Sequence, residues 1–431
     1  MSMTPETIRQ LYVDAVAHHR AERLDEAEGL YRQIVDADPR HAEARHRLGV
    51  IAHLRGRWAE AVDHIGAAIA LSGGSAGHHF NLALALHEID RYEEAAEACR
   101  AALRLKPDFT PALYTLGLAL KDLGRLDEAI AAYRAASQRE PDFAEAQYGE
   151  AYARLLAGDF AAGWKLYEGR RRLFPQRVVY REPQWTGQDI AGKTLLIHAE
   201  QGIGDTIQFV RYVPLAVARG AKVILEVQPS LVRLLSFHGA IGFGDPRPPV
   251  DFQCPMMSLP LALGGEIPVR TPYLSAGPAA PTGRKIGIAW RGNPEHSDDR
   301  RRSMTAETMA RAFQGRDLTL VCLQKDRTEA ELAAFAGCRL IDPTPDLTDF
   351  ADTATVIAGL DLVVSVDTAV AHLAGALNIP GRVLLGYAPD WRWRLGREDS
   401  GWYPSLRLVR QEKPGDWDPV IEKIRQEGEG I

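Results

Sequence analysis

Apolar and small residues recur with a period of 34 residues along the first part of the chain. The columns that share this register read Leu24, Trp58, Tyr92, Leu126 and Phe160; Ala27, Ala61, Ala95, Ala129 and Gly163; Tyr31, Ile65, Cys99, Tyr133 and Tyr167; and Pro39, Gly73, Pro107 and Pro141. In one period, two amphipathic helices are broken at Gly124, the small Ala129 lets them approach, and Pro141 ends the second helix. The pattern predicts an N-terminal α-solenoid of about five repeats over residues 1–170.

The period changes after a linker, residues 171–192, which contains Pro175 and Pro183. Short apolar runs that are typical of buried parallel strands then alternate with helical stretches. The runs are residues 194–199 and 222–227 in a first group, and 285–290, 318–323, 361–366 and 382–387 in a second. They predict two Rossmann-like domains, residues 193–276 and 284–412, joined by a Pro/Gly-rich hinge at 277–283. Residues 413–431 are predicted to form a helix that packs back on the first of these domains.

The 431 residues carry a net charge of −6, which gives no general affinity for nucleic acid or acidic membranes. The N-terminus lacks the basic start and apolar core of a signal peptide, and no apolar run reaches the roughly 18–20 residues that span a bilayer. Cys99, Cys254, Cys322 and Cys338 are scattered and form no CxxC pair, so a zinc site is not expected. These features predict a cytoplasmic protein without a metal or another cofactor.

A glycine-rich turn follows the first predicted strand, and a helix begins directly after it. Gln201, Gly202, Gly204 and Asp205 form this turn, in which the glycines let backbone approach a ligand and the aspartate stands at the helix N-terminus. The alternative is that Asp205 only caps the helix, since aspartate is a favoured capping residue.

A second helix start follows the strand at 361–366. Asp367, Thr368 and Ala369 stand where unpaired backbone amides and the helix dipole favour a diphosphate. His372 lies four residues after Thr368, on the same helix face. Alternatively, His372 is a histidine whose hydrogen bonds are satisfied within the core.

Further polar and aromatic residues follow other strands of the second group, at the sheet edge where ligands bind. They are Asn293, His296 and Ser303 after the strand at 285–290, Gln324 and Lys325 after 318–323, and Trp391 after 382–387. The first three equally fit an exposed charged loop. A lysine at this edge neutralises phosphate charge without a metal, and Trp391 either stacks on a base or sugar or seals the domain interface.

The repeat half resembles tetratricopeptide (TPR) repeats along almost its whole length. Such arrays bind peptides or partner proteins in a concave groove, although this one would alternatively only brace its neighbour. Arg47, Asn81 and Thr115 are expected to line the groove. O-GlcNAc transferases, which are similar in overall architecture, carry an asparagine ladder there. Only Asn81 keeps that residue type, so the resemblance does not imply a sequence-blind grip on extended peptides.

The two helix starts together resemble those of heptosyltransferase-type glycosyltransferases. The match covers the GxGD turn with Asp205, and Asp367, Thr368 and His372 of the D-T-G-x-x-H helix start, in which Ala369 replaces the glycine. The resemblance implies a GT-B fold, in which two Rossmann-like domains face a cleft. It also implies that Asp205 is the catalytic base and that the second motif holds a nucleotide diphosphate. TPR-fused relatives share segments such as EQGIGDTIQFVRYVP, and some are linked to flagellin modification.

These features predict an inverting, metal-independent glycosyltransferase that uses a nucleotide sugar. The predicted acceptor is a protein, flagellin or another surface protein, bound through the TPR groove. ADP, UDP, GDP and CMP sugars all remain candidate donors. The alternatives are a non-catalytic scaffold with a relic GT-B domain, a transferase for lipopolysaccharide or surface polysaccharide, and a GT-B epimerase or hydrolase.

Overall fold

The structure is a computed structural model that describes residues 3–174, 178–277, 284–296 and 298–427. It separates into two compact units, Met1–Ala153 and Arg154–Ile431, and the division falls inside a helix. None of the described helices combines the length and the apolar character that crossing a bilayer requires.

The first unit consists of paired helices that follow the 34-residue repeats. They are α1 (Pro5–Arg20), α2 (Leu24–Ala37), α3 (Ala42–Leu54), α4 (Trp58–Ser72), α5 (Ala76–Glu88), α6 (Tyr92–Leu105), α7 (Thr110–Asp122), α8 (Leu126–Arg139) and α9 (Ala144–Ala157). The alanine column, from Ala27 to Ala129, is fully buried between paired helices. Gly56 and Gly124, at φ 70° and 74°, supply the left-handed turns within pairs, which glycine adopts without strain. The predicted TPR solenoid is confirmed.

Neighbouring repeats fit together because large and small residues face each other. A Cβ atom added to Gly117 would lie 2.6 Å from the ring of Tyr133, and one added to Gly149 would lie 2.5 Å from it. The Tyr133 ring is fully buried. A larger residue at either glycine would therefore push the ring out of a close-packed core.

The second unit begins at the end of α9, continues through α10 (Phe160–Tyr167) and α11 (Arg170–Leu173), and then forms a first parallel sheet. Its strands are β1 (Thr194–His198), β2 (Lys222–Val227), β3 (Ala240–Gly242) and β4 (Phe252–Pro255), in the order β3-β2-β1-β4. Its helices are α12 (Ile203–Phe209), α13 (Val213–Ala218) and α14 (Leu259–Ala262). The strand order reverses between β1 and β4, so the crevice for a ligand lies outside the carboxyl end of β1.

A second parallel sheet follows, with the order β10-β9-β8-β5-β6-β7. Its strands are β5 (Lys285–Ala289), β6 (Thr319–Cys322), β7 (Arg339–Ile341), β8 (Leu362–Val366), β9 (Gly381–Leu385) and β10 (Leu406–Arg410). Its helices are α15 (Asp299–Arg302), α16 (Ala306–Arg311), α17 (Glu329–Ala333), α18 (Phe350–Ala358), α19 (Ala369–Ala376) and α20 (Asp418–Glu427). The order reverses between β5 and β8, which places the ligand crevice at their carboxyl ends. The predicted fold class, a TPR solenoid followed by parallel α/β sheets, is confirmed and is consistent with a GT-B domain.

The C-terminal helix packs on the second sheet, whereas the sequence predicts that it packs on the first. Val420, Ile421 and Ile424 of α20 are buried in the core that contains β5 and β8, and Asp418 forms an ion pair with Arg311 of α16 at 2.6 Å. An amphipathic pattern identifies the buried face of a helix but not the surface that covers it. Residues 278–283 of the predicted hinge lie outside the described residues, and the domain boundaries stay predictions.

Candidate active site

The glycine-rich turn of the first sheet is held by its own aspartate. Gly202 is the N-cap of α12, and its backbone N–H donates to Asp205 Oδ2 at 2.8 Å. Gln201 contributes its carbonyl, which accepts from the side chain of Gln228 at 2.9 Å. Asp205 is therefore not the N-cap that the alternative proposes; it is the third residue of α12, where one carboxylate oxygen fixes the turn and the other points elsewhere.

The helix start of the second sheet is capped by Thr368. Its hydroxyl accepts from the backbone N–H of Val370 at 3.3 Å and lies 3.0 Å from the hydroxyl of Ser365. Ala369 is the first residue of α19, and the helix behind it is buried from Val370 to Ala376. Asp367 stands just before the cap, with 14% of its side chain exposed.

The two motifs meet directly, because α12 packs against α19. A Cβ atom on Gly204 would lie 2.9 Å from His372 Cδ2 and 3.7 Å from the Cα atom of Ala369. Only a glycine leaves room for this approach. The sequence places both motifs at sheet edges, and the structure brings those two edges into contact.

Arg392 links the two motifs electrostatically, and the sequence argument does not single it out. Its guanidinium donates to Asp205 Oδ1, to Asp390 Oδ1 at 2.8 Å and to the side chain of Gln208. Arg392 is only 8% exposed. Asp390 and Asp205 help to hold the pKa of Arg392 well above its usual range, against the opposing effect of burial. A buried cation thus sits between a carboxylate from each sheet.

His372 is buried at the contact between the helices. Its Nδ1 atom lies 2.8 Å from the hydroxyl of Tyr403, and its ring stacks on that of Trp393 at 5.4 Å between centroids. Burial, followed by the charges of Arg392 and Arg211, lowers the pKa of His372 well below its usual value. The imidazole is therefore neutral, and the alternative of a core histidine with satisfied hydrogen bonds describes this environment.

Asp367 faces a different balance of charges. Burial and the neighbouring Asp390 raise its pKa to about 6, although Arg302 and Arg392 act in the opposite direction. Its Oδ1 atom lies 3.9 Å from His372 Nε2. The acidic group nearest the helix start therefore gains a proton in mildly acidic solution.

The polar loop after β5 is built from local hydrogen bonds. Asn293 Oδ1 accepts from the backbone N–H of Glu295 at 3.1 Å, and His296 Nδ1 accepts from that of Asp298 at 3.1 Å. Asn293 and His296 are exposed. Ser303 is partly buried and ties Gly292 to the helix α15 that follows. This loop stands at the carboxyl end of β5, as predicted.

The side chains of the two residues after β6 form hydrogen bonds within the fold. Gln324 Oε1 accepts from the backbone N–H groups of Trp290 and Arg291, at 3.2 and 3.1 Å, and thereby braces β5. Lys325 Nζ donates to the carbonyls of Thr344, at 3.1 Å, and Leu347. These two bonds leave one of the three ammonium protons for a ligand.

Trp391 lies in an aromatic cluster and not on an open face. It is 1% exposed, and its ring meets those of Trp164 and Trp402 edge-on at 5.3 and 6.0 Å between centroids. The guanidinium carbon of Arg392 lies 4.4 Å from its centroid. This burial favours the alternative that Trp391 seals the domain interface, and its stacking on a donor stays a prediction.

A cavity of about 680 Å³ opens beside Arg392. Phe160, Glu266, Arg394 and Trp402 also line it. The backbone of Gly158 lies against the Arg394 side chain, which donates to the carbonyl of Ala157 at 3.1 Å. Charged residues of both signs, Asp159, Glu266, Arg392, Arg394 and Arg397, thus line the cavity next to the Asp205–Arg392 pair.

Asn81 lies in the first unit, on α5. Its Nδ2 atom is 2.9 Å from Nε2 of His46 on α3, the first helix of the preceding repeat. Asn81 is therefore joined to a histidine of the neighbouring repeat, a contact that the asparagine-ladder comparison does not predict.

Both halves of the chain match models of known families. Residues 14–76 and 56–108 match one tetratricopeptide repeat model, and residues 86–155 match another. Residues 307–413 match the model described as glycosyltransferase family 9 (heptosyltransferase). The latter match runs from α16 to β10 and includes the helix start at Asp367. The chain thus contains TPR repeats and a glycosyltransferase family 9 segment, as the resemblance in the sequence implies.

Individual relatives are more distant. Protein FlbA of Caulobacter vibrioides is 27% identical over 314 residues, which cover 62% of this chain and 52% of that protein. This chain therefore spans about half the length of that relative. A crystal structure of MamA is 23% identical, covers 41% of this chain and 100% of its own, and gives a TM-score of 0.37. YrrB, described as a TPR protein with an unusual peptide-binding site, is 19% identical, covers 39% of this chain and 86% of its own, and gives a TM-score of 0.36. These TM-scores are too low for a comparison of function.

Proposed function

We propose that this chain, a glycosyltransferase by its family 9 segment, transfers a sugar from a nucleotide-sugar donor to an acceptor with inversion and without a metal. One observation carries the proposal: α12 and α19 bring Gly204, the neighbour of Asp205, against His372 and Ala369 at the switch points of both sheets. A glycosyl transfer needs a base on one side of the anomeric carbon and a leaving-group site on the other.

The donor would bind at the carboxyl edge of the second sheet. The backbone amides of residues 368–370 and the positive end of α19 suit a departing phosphate, since α19 is capped by a neutral threonine and not by a carboxylate. Asn293, His296 and Ser303 stand at the end of the adjacent strand β5, where they can reach the nucleotide or sugar. Lys325 would contribute positive charge through its remaining N–H.

Asp205 would take the proton of the acceptor hydroxyl. Its Oδ2 atom is held by Gly202, and its Oδ1 atom is paired with Arg392. A base role therefore requires Asp205 to exchange Arg392 for the acceptor hydroxyl. Asp390 accepts from the same guanidinium at 2.8 Å, so that the exchange need not leave a buried charge unpaired.

The TPR repeats favour a protein acceptor, because such arrays bind extended segments of partner proteins. Asn81 on the first-unit helix α5 is a candidate contact for that segment, and Gln201, Gly202 and Gly204 are candidates on the acceptor side of the catalytic turn. Flagellin or another surface protein is the proposed acceptor, and the proposed compartment is the cytoplasm.

The test compares two aspartates that share Arg392. Full-length protein is first screened by thermal shift against UDP-, ADP-, GDP- and CMP-sugars. Turnover is then measured as nucleotide release with candidate acceptor proteins, for wild type, Asp205→Asn and Asp390→Asn, with and without EDTA. Loss of a general base costs about 10²–10⁴-fold in turnover. We expect this loss in Asp205→Asn with donor affinity retained, and a much smaller loss in Asp390→Asn.

The other outcomes separate the alternatives. Equal losses in both variants would assign Asp205 a structural role as the partner of Arg392. A wild-type protein that binds no donor would support the relic scaffold. Turnover that requires lipopolysaccharide would indicate that the acceptor is a surface polysaccharide and not a protein. Loss of turnover with EDTA would contradict metal independence. The anomeric configuration of the product, read by NMR, tests inversion.

A further inference from the structure

The repeat breaks its own pattern at one junction between neighbouring units. One column of first-helix residues is aromatic in four of five repeats, with His46 as the exception; it reads Tyr12, His46, Phe80, Tyr114 and Tyr148. A second column, in the second to fifth repeats, is alanine at three of four positions, with His78 as the exception; it reads Ala44, His78, Ala112 and Ala146. The two exceptional histidines belong to adjacent repeats.

The aromatic column normally packs against a ring at the start of the next repeat. Tyr12 lies 5.3 Å from the ring of His41, Phe80 lies 5.1 Å from Phe109, and Tyr114 lies 5.2 Å from Phe143, between centroids. The corresponding residue after His46 is Ser75, which instead caps α5. The ring contact that joins the other repeats is therefore replaced at this junction by a polar cluster.

That cluster brings three metal-ligand side chains together. The rings of His46 and His78 lie 4.0 Å apart between centroids, and both residues are buried, with 6% and 7% exposure. Glu43 Oε1 lies 3.3 Å from His78 Nε2. Each of the three residues offers one ligand atom, and all three atoms lie within 4.8 Å of one another.

One nitrogen of each buried imidazole has a polar neighbour: His46 Nε2 lies 2.9 Å from Asn81 Nδ2, and His78 Nε2 lies 3.3 Å from Glu43 Oε1. The Nδ1 atoms of both rings are buried and accept or donate no hydrogen bond among the described residues. An unsatisfied buried polar group destabilises a fold.

We propose that Glu43, His46 and His78 form a binding site for one zinc ion on the TPR unit. Zn²⁺ prefers this ligand set of two imidazoles and a carboxylate. Bonds of about 2.0–2.1 Å in a tetrahedron place ligand atoms roughly 3.3 Å apart, which is the distance already found between Glu43 and His78. The three ligand atoms, which lie within 4.8 Å of one another, would reach this spacing through small side-chain shifts. Three protein ligands leave the fourth position to water or to a group of a bound partner.

The proposal is independent of glycosyl transfer, because every ligand lies in the unit Met1–Ala153. It also differs from the expectation, drawn from the cysteines, that the chain has no zinc site. The ligands are contributed by helices one repeat apart, so no short sequence motif marks them.

The experiment uses untagged full-length protein, stripped with a chelator and then dialysed against zinc chloride. Bound metal is measured by mass spectrometry, affinity by competition with a chelating dye, and the melting temperature with and without zinc. The variants His46→Tyr and His78→Ala restore the residues that the repeat carries elsewhere, so they are expected to fold at least as stably as the metal-free wild type. His79→Ala is the matched control, since His79 is adjacent in sequence but is not among the three ligands.

Wild type and His79→Ala are expected to bind about one zinc ion per chain at this site and to melt at a higher temperature with zinc. His46→Tyr, His78→Ala and Glu43→Gln are expected to bind zinc at least about tenfold more weakly, with the melting shift reduced or lost. If the two repeat-restoring variants bind as much zinc as wild type with equal affinity, or if wild type binds none, the site does not exist.

Discussion

The guanidinium of Arg392, which follows the second sheet's strand β9, donates to the carboxylate of Asp205 at the start of α12 beside the first sheet. The same guanidinium holds Asp390 at 2.8 Å. The predicted catalytic base is thus one of two carboxylates on a single buried cation. Arg392 therefore bears on any catalytic role of Asp205. It also bears on the stability of the second unit.

Replacing Arg392 by methionine is expected to destabilise the second unit by about 3–5 kcal/mol, because two carboxylates lose a buried partner. Seven of the eight tryptophans lie in this unit, since only Trp58 does not, so tryptophan fluorescence in urea follows its unfolding. Arg397→Met is the control. Arg397 pairs with Asp399, whose side chain is 55% exposed, and such a surface pair is worth up to about 1 kcal/mol. Equal effects of the two variants would contradict a structural role for the Asp205–Arg392 pair.

Gly204→Ala is expected to force α12 away from α19, because the new Cβ atom would lie 2.9 Å from the His372 ring. Overpacking of this kind costs about 1–3 kcal/mol. The measurement is a double-mutant cycle on the urea midpoint with His372→Ala. Since His372→Ala removes the clashing ring, Gly204→Ala should cost clearly less in that background. A cost that is the same in both backgrounds would mean that the contact with His372 is not what demands the glycine.

Asp367 is expected to make the second unit less stable as the pH rises. Its pKa is about 6 in the folded chain and near its ordinary value of 3.8 in the unfolded one. The folded state therefore binds the proton more tightly, and the cost of ionising this group appears between about pH 4 and pH 6. Two pKa units correspond to at most about 3 kcal/mol.

The test compares a variant with wild type at each pH, because other carboxylates change the stability in the opposite direction at the acidic end of this range. Asp349 and Asp342, for example, have lowered pKa values owing to Arg233 for the first and, after Thr344, Arg327 for the second. The melting temperature of Asp367→Asn minus that of wild type should rise from about pH 4 to about pH 7 and then level off. A difference that stays flat with pH would show that Asp367 ionises normally in the fold.

The sequence predicts the repeats and the helix starts well because both depend on local physics. The alanine column and Gly124 set the helix pairs, and Gly202, Gly204 and Thr368 mark turns that backbone geometry requires. The six predicted strands are all present, since each is an apolar run. The strands that the pattern misses are β3 and β7, of three residues each, β4 within a proline-rich stretch, and β10 with arginines between its apolar residues.

The sequence does not reveal which residues that are distant in the chain become neighbours in the fold. Asp205 and Arg392 are 187 residues apart, and Gly204 and His372 of the two sheets are likewise distant in sequence. Lys325 appears in the sequence as a free cation, yet its ammonium is shared between two carbonyls. The sequence does not mark His46 and His78 as a pair, because their departure from the repeat becomes meaningful only once the contact between their rings is known.

Trp391 provides a prediction that separates stacking on a nucleobase from packing within the fold. Its ring contacts Trp164 and Trp402 and is 1% exposed. Trp391→Leu is therefore expected to lower the urea midpoint of the second unit markedly, because a buried aromatic residue contributes several kcal/mol. Its affinity for the donor, once a donor is identified, should stay within about twofold at temperatures where the variant is folded, since a residue inside the core gives no stacking energy to a ligand.

Trp417→Leu is the matched control for this variant, because Trp417 packs against the core of the second sheet and is not among the predicted site residues. Both variants should lose stability, and neither should change donor affinity. Base–aromatic stacking is worth about 1–3 kcal/mol, so a base that stacked on Trp391 would make Trp391→Leu bind the donor at least about fivefold more weakly than Trp417→Leu. That result would require the aromatic cluster to open when the donor binds. It would show that Trp391 belongs to the donor site, as the sequence predicts.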